Sequence, residues 1–477
     1  MNKPVLVGVG AVIVVGGTFF GAVAWSGNAI QTRYQQQIDE LQTRLPFVKV
    51  VENTYDKKFF SSTATLGLQF GCPNPAAALG DTAKPATPPA TPFVLTIRDH
   101  IQHGPLPGWT AIGAASADTE LVLTEDQRKE LDKMFGDQHA LSAHTVFAFN
   151  GGFSSHLTSP AGKYTDSKGT LIAWQGLNAT MAVEGDRSIN FDFAMPGLGV
   201  TEAGANGSDF QIVNLGAHGQ IRPVNQTYWL SVGKSSAGID RIEVKVGSQA
   251  ASAGGLSGAP FKLTLEKIAS TSESSIANDL LSTNSVVTGA GSFNDTRIDK
   301  VELQASFKRL HAPTYQRVIE NMMKSSFSCD PAHQANPMAE LATLQDDLKA
   351  FLPYDPEYAV DKLVVETGGK RGEFSYSLVV KGVSQADLAA PPANLFMTKG
   401  VIKAAIKIPS VWIEKVMAAA PDAAQGKLPP PEIVNNLLAQ VVAQGYVVRD
   451  GEYLSSNFSA NNGAFLVNGK PLGAAKQ

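Results

Sequence analysis

FSSTATLGLQF, residues 60–70, alternates. Phe60, Ala64, Leu66, Leu68 and Phe70 fall on one side, and Ser61, Thr63, Thr65, Gly67 and Gln69 on the other. A two-residue period sends successive side chains to opposite faces, so this stretch predicts a strand with one buried and one wet face. The period returns far down the chain. Ile242, Val244 and Val246 alternate with Arg241, Glu243 and Lys245. Phe261, Leu263 and Leu265 alternate with Lys262, Thr264 and Glu266, and Val301, Leu303, Ala305 and Phe307 with Glu302, Gln304, Ser306 and Lys308. Parallel strands would need crossover helices between such runs, and none is visible there. An extended antiparallel meander is expected.

Helical spacing appears later, in TYQRVIENMMKSS, AELATLQDDLKAF, SVWIEKVMAAA and PEIVNNLLAQVVAQG. The last has Pro431 in its first turn, Gly445 at its end, and an apolar stripe of Ile433, Leu437, Leu438, Val441 and Val442. Asp450-Gly451, Asn462-Gly463 and Asn468-Gly469 tolerate the positive φ of tight hairpin turns. The predicted class is α+β: mostly antiparallel sheet, with helices in the C-terminal half, behind an N-terminal transmembrane helix.

That helix is read from VLVGVGAVIVVGGTFFGAVAW, Val5 to Trp25, inside a stretch with no ionisable side chain between Lys3 and Arg33. A helix satisfies its own backbone in lipid, and roughly 20 apolar residues span the hydrocarbon. A cleaved signal peptide is the competing reading, with Ala22-Val23-Ala24 as its cleavage site. The apolar region of such a peptide runs only about 7–15 residues, which favours an uncleaved anchor. With Lys3 held inside, the remainder faces outward. Gly17 and Gly21 form a GxxxG step on which two such helices would pair as a homodimer.

The expected organisation is therefore an anchor over 1–27, then a membrane-proximal helix over 28–46 with Ile30, Tyr34, Ile38, Leu41 and Leu45 at helical spacing. A β-rich region over 47–310 follows, interrupted by a Pro/Ala loop at 73–92, and then a helix-containing region with terminal hairpins over 311–477. The formal net charge of −4 offers no basic surface for nucleic acid. Cys72 and Cys329 are the two cysteines, and an oxidising compartment would favour bridging them over leaving two unrelated thiols.

Candidate chemistry centres on IRDHIQHGPLPGW, residues 97–109. His100 and His103 are three apart, but Gly104, Pro105 and Pro107 forbid a helix. In a strand the two rings leave opposite faces, and no third metal ligand is evident, so a structural corner is favoured over a metal site. Ser231, Lys234 and the VGKS at 232–235 mimic lysine motifs without their remaining parts, because neither Tyr228 nor Trp229 is the Gly that a phosphate loop requires upstream of Gly233. His139, His144 and His156 cluster in sequence with no nucleophile placed beside them. No GxSxG or HExxH occurs, so no catalytic residue, metal or cofactor is expected.

Together these landmarks resemble the YdgA-like family of bacterial envelope proteins, which is defined by a domain of unknown function. The resemblance rests on MNKPVLVGVGAVIVVGG through QTRYQQQIDE, on YDKKFFSSTATLGL, on the HGPLP corner from His103 to Pro107, and on the closing FLVNGKPL. It implies an inner-membrane anchor with a periplasmic body, and it supplies no catalytic residues. The Pro/Ala insertion and the two cysteines depart from the family pattern. Two functions are expected in rank order. One is a non-enzymatic module binding or transferring lipid or another apolar ligand. The other is an envelope scaffold acting through homodimer or protein contacts.

Overall fold

The computed structural model describes residues 35, 38, 39, 41, 48–58, 60–70, 93–103, 106–204, 207–224, 230–247, 260–294, 296–326, 349–413 and 431–472. Among them, no helix is long and apolar enough to cross a membrane. The anchor expected over 1–27, with Gly17 and Gly21, lies outside the described residues, as does the Pro/Ala loop. The chain is mostly antiparallel sheet and divides into two compact units. The first comprises Met1–Ala237, Val246–Ala259 and Gln316–Leu344, and the second Gly238–Lys245, Pro260–Tyr315 and Gln345–Gln477. Leu310, where the period changes, is the penultimate residue of a strand inside the second unit.

In the first unit the strands β1 (Val48–Lys57), β2 (Ser61–Phe70), β3 (Phe93–His103), β4 (Ala115–Val122), β5 (Ser142–Phe147) and β6 (Phe153–Ser159) pair in sequence order. The hairpin β7 (Gly162–Thr165) and β8 (Leu171–Trp174) then branches off. The ladder resumes from β6 through β9 (Leu177–Val183), β10 (Ile189–Thr201) and β11 (Asp209–Pro223). Alternation decides what is buried. Ala64, Leu66 and Leu68 of β2 and Leu95, Ile97 and Ile101 of β3 are all core residues. Ile38 and Leu41, helical in the membrane-proximal stretch, pack into that same core. These two side chains are therefore spent on the chain's own sheet.

Helix α1 (Glu125–Phe135) connects β4 to β5 and is absent from the sequence-based expectation. Thr124 starts it with a capping box: its hydroxyl accepts the Gln127 N–H, and Gln127 Oε1 accepts the Thr124 N–H at 2.9 Å. Thr124→Ala is expected to cost about 1 kcal/mol, read as a lower urea midpoint.

The second unit is a longer meander. Strands β13 (Phe261–Ala277), β14 (Leu280–Phe293), β15 (Thr296–His311), β16 (Glu357–Thr367), β17 (Lys370–Val380), β18 (Gly400–Pro409) and β20 (Tyr453–Asn461) pair successively. β19 (Val448–Asp450) and β21 (Ala464–Val467) flank the far edge of β20, and β22 (Lys470–Pro471) closes on β21. The intervening β12 (Ser231–Val246) contains the division between units. The second unit's described helices include α3 (Pro392–Lys399) and α4 (Pro431–Gln444), whereas α2 (Ala312–Ser326) belongs to the first unit from Gln316 onward. α4 matches the expected helix, although Leu437 of its stripe is 60% exposed. Asn462-Gly463 and Asn468-Gly469 adopt the paired positive φ of tight hairpins, as do Asn278-Asp279 and Gly368-Gly369.

Candidate functional site

At the HGPLP corner the described residues His103 and Pro107 are held by hydrogen bonds and by burial of the proline ring. β3 runs on to His103, whose N–H donates to the Phe60 carbonyl at 2.9 Å. Its Nε2 lies 2.9 Å from Ser62 Oγ on the core side of β2. Pro107 is fully buried and opens a short 3-10 turn, Pro107–Trp109, in which Gly108 has a φ of 56° beneath the Gln102 side chain. His100, three residues earlier, faces solvent and sits 3.3 Å from Glu120 Oε1. The two histidines therefore share no ligand. Gly104, Pro105, Cys72 and Cys329 lie outside the described residues. Ser231 and Lys234 lie within strand β12.

The second unit has a sheet face of different character. Val287, Leu303, Leu363, Phe374 and Ile406 stand side by side from β14 to β18. Beside them run Ala305, Val360, Tyr376, Ala404, Phe458 and Val467, then Phe307, Tyr358, Leu378 and Ile402. These rows carry no charged residue. Not one of these large side chains is buried: Phe307 is 41% exposed, Ile406 is 40% exposed, and the others are half-buried. Trp412 covers one corner by packing over Gly372, leaving no room there for a Cβ.

The opposite face carries ion pairs around the fully buried Val364, which stands between Glu302 and Glu373. Glu302 receives Lys362 Nζ at 2.6 Å and Lys300 Nζ at 3.0 Å, and these bonds hold its carboxyl down at about 2. Asp361 is an extra residue at a β-bulge and accepts the Ser306 hydroxyl at 2.8 Å. One side of this sheet thus carries ion pairs and the other uncharged, partly exposed side chains.

The first unit's wet face carries an unforeseen row. Thr63, His100, Asp118, His144, His156, Thr180, Asp192 and His218 oppose one another in turn across β2, β3, β4, β5, β6, β9, β10 and β11. His144 Nδ1 is 2.6 Å from Asp118 Oδ1. His100, Asp118, Glu120, His139, His144 and His156 line a cleft of about 310 Å3. As placed, no three His, Cys, Asp or Glu side chains among the described residues meet around one point. A larger depression of about 640 Å3 follows the charged side of α1 and is open to water.

Beneath this row, on the core side, Asp99 is 3% exposed and takes a 2.5 Å hydrogen bond from Thr119 Oγ1. Burial raises its carboxyl to about 6, against the opposing pull of the Thr119 hydroxyl and His100. Alternation along the strands makes each wet-face histidine legible as solvent-facing. Register, which brings His144 opposite Asp118 and His156, is not.

These features define an antiparallel sheet protein with a closed core in one unit and an open, uncharged apolar face in the other. Residues 1–474 match the family described as "Bacterial protein of unknown function (DUF945)", and the chain belongs to that family. No curated protein and no solved structure matches it.

Proposed function

We propose that the protein is a YdgA-like, bilayer-tethered module of the bacterial envelope that holds lipid acyl chains on the open face of its second unit, without catalysing a reaction. The observation that carries this reading is the set of uncharged apolar rows that no part of the described chain buries. Contiguous exposed apolar area of this kind marks a surface that is covered in use. The row from Ser270 to Ser456 crosses seven strands, or about 29 Å at about 4.8 Å per step, which is close to the roughly 30 Å hydrocarbon thickness of a bilayer and leaves room for a single extended acyl chain.

The apolar run Val5 to Trp25 supports the tether: a single inner-membrane span with Lys3 on the cytoplasmic side and the body in the periplasm. A bilayer anchor would deliver the face to lipid. The scaffold reading loses one of its motives, because Ile38 and Leu41 are buried in the first unit's own core.

Mass spectrometry of the purified full chain is expected to recover acyl lipids. Replacing Leu303 and Phe374 together by Glu places two charges in the middle of the face and should lower bound lipid at least tenfold. A parent chain that carries no acyl species and takes up no labelled fatty acid overturns the reading. So does a face that becomes protected only when two chains crosslink, an outcome that would favour the homodimer and that Gly17→Leu with Gly21→Leu would then abolish.

A further inference from the structure

We propose that His139, His144 and His156 bind a divalent transition-metal ion of the zinc class in the cleft over β5 and β6. His144 and His156 are direct cross-strand partners on the solvent face. Such positions hold their Cβ atoms about 4.5–5.5 Å apart. Two imidazole nitrogens on one tetrahedral zinc stand about 3.4 Å apart, given bonds of about 2.0–2.1 Å, so this spacing admits both rings on one ion. His139 precedes β5 by three residues and lines the same cleft.

Asp118 supplies the independent sign. Its Oδ1 lies 2.6 Å from His144 Nδ1; a carboxylate oxygen accepts, so Nδ1 is the donor and Nε2 is the nitrogen left for a metal. A carboxylate on the far nitrogen is the usual support of a metal-bound histidine, fixing both tautomer and ring direction. The three rings do not converge as placed. The His144 side chain is 46% exposed, and all three residues face solvent or line the cleft, so rotation about their side-chain bonds meets no core packing. Water in the cleft would complete a set of three histidines with one open position, and those donors suit zinc, cobalt, nickel or copper. The sequence argues against a metal at His100 and His103 for lack of a third ligand. The structure offers a different trio, and the inference is independent of the acyl-chain reading.

The test is equilibrium dialysis of Zn2+ into the chelator-stripped full chain, without a polyhistidine tag, in detergent, with Co2+ as an optical probe of geometry. One equivalent should bind near neutral pH, and Co2+ should give the visible absorption of a four-coordinate site. His144→Ala and His156→Ala should each weaken binding at least tenfold, and Asp118→Asn about tenfold. His218→Ala, in the same row but outside the cleft, should leave affinity unchanged. Circular dichroism confirms that each variant is folded. The proposal is overturned if the parent binds well under one equivalent, or if the His144→Ala, His156→Ala double variant keeps the parent's affinity.

Discussion

Asp99→Asn is expected to gain about 3 kcal/mol of stability on the parent chain between about pH 4 and pH 7.5. The parent's carboxyl titrates at about 6 when folded, because burial opposes its charge, and near 3.8 when unfolded. Between those values the folded state holds a proton that the unfolded state has released, so rising pH favours unfolding. The stability is complete below about 3.8 and lost as pH climbs through about 6. The gap of roughly two pH units sets the size, at about 1.4 kcal/mol per unit. Asn cannot ionise, yet its Oδ1 still accepts from Thr119. Urea midpoints followed by tryptophan fluorescence across this range would show the two chains diverging; parallel curves would mean that Asp99 is not desolvated.

Phe147→Ala should destabilise the first unit by about 3–5 kcal/mol. Phe147 is 2% exposed and meets the Phe153 ring at a centroid distance of 6.4 Å. Removing it leaves a cavity that paired strands on both sides cannot close. Ile406→Ala in the second unit should cost only about 1 kcal/mol, because that side chain is 40% exposed and leaves no enclosed void. Denaturant unfolding of both variants measures the contrast between a closed core and an open face. Equal losses would contradict the open face on which acyl-chain binding rests.

Much of the sheet is legible from alternation. Residues 61–70 form β2 with Ala64, Leu66 and Leu68 inward, but Phe60, expected on that same side, precedes the strand and is 75% exposed. Asn462-Gly463 and Asn468-Gly469 form turns because few other pairs tolerate two positive φ values. The turn at Asn278-Asp279 escapes notice, since no glycine announces it. Helix α1 escapes it too, because EDQRKELDKMF is polar nearly all round and only Thr124 with Gln127 signals a start.

The sites are harder to read. Period distinguishes inward from outward, but it does not say which strand lies alongside which, or in what register. The histidine row depends on the successive registers from β2 to β6 and on to β9. The openness of the apolar face depends on what fails to cover it. Neither is a property of any single stretch of sequence.

The hairpin turns of the second unit carry a consequence for how it forms. β13 with β14, β16 with β17, and β20 with β21 each join strands adjacent in the chain, so each closes a short loop with little entropy lost. Such hairpins zip in about 1–10 μs. The slow event is left to the few pairings between distant segments, such as β15 with β16 and β18 with β20. Assembly of this unit is thereby paced by docking of ready-made ribbons rather than by a search among all strands.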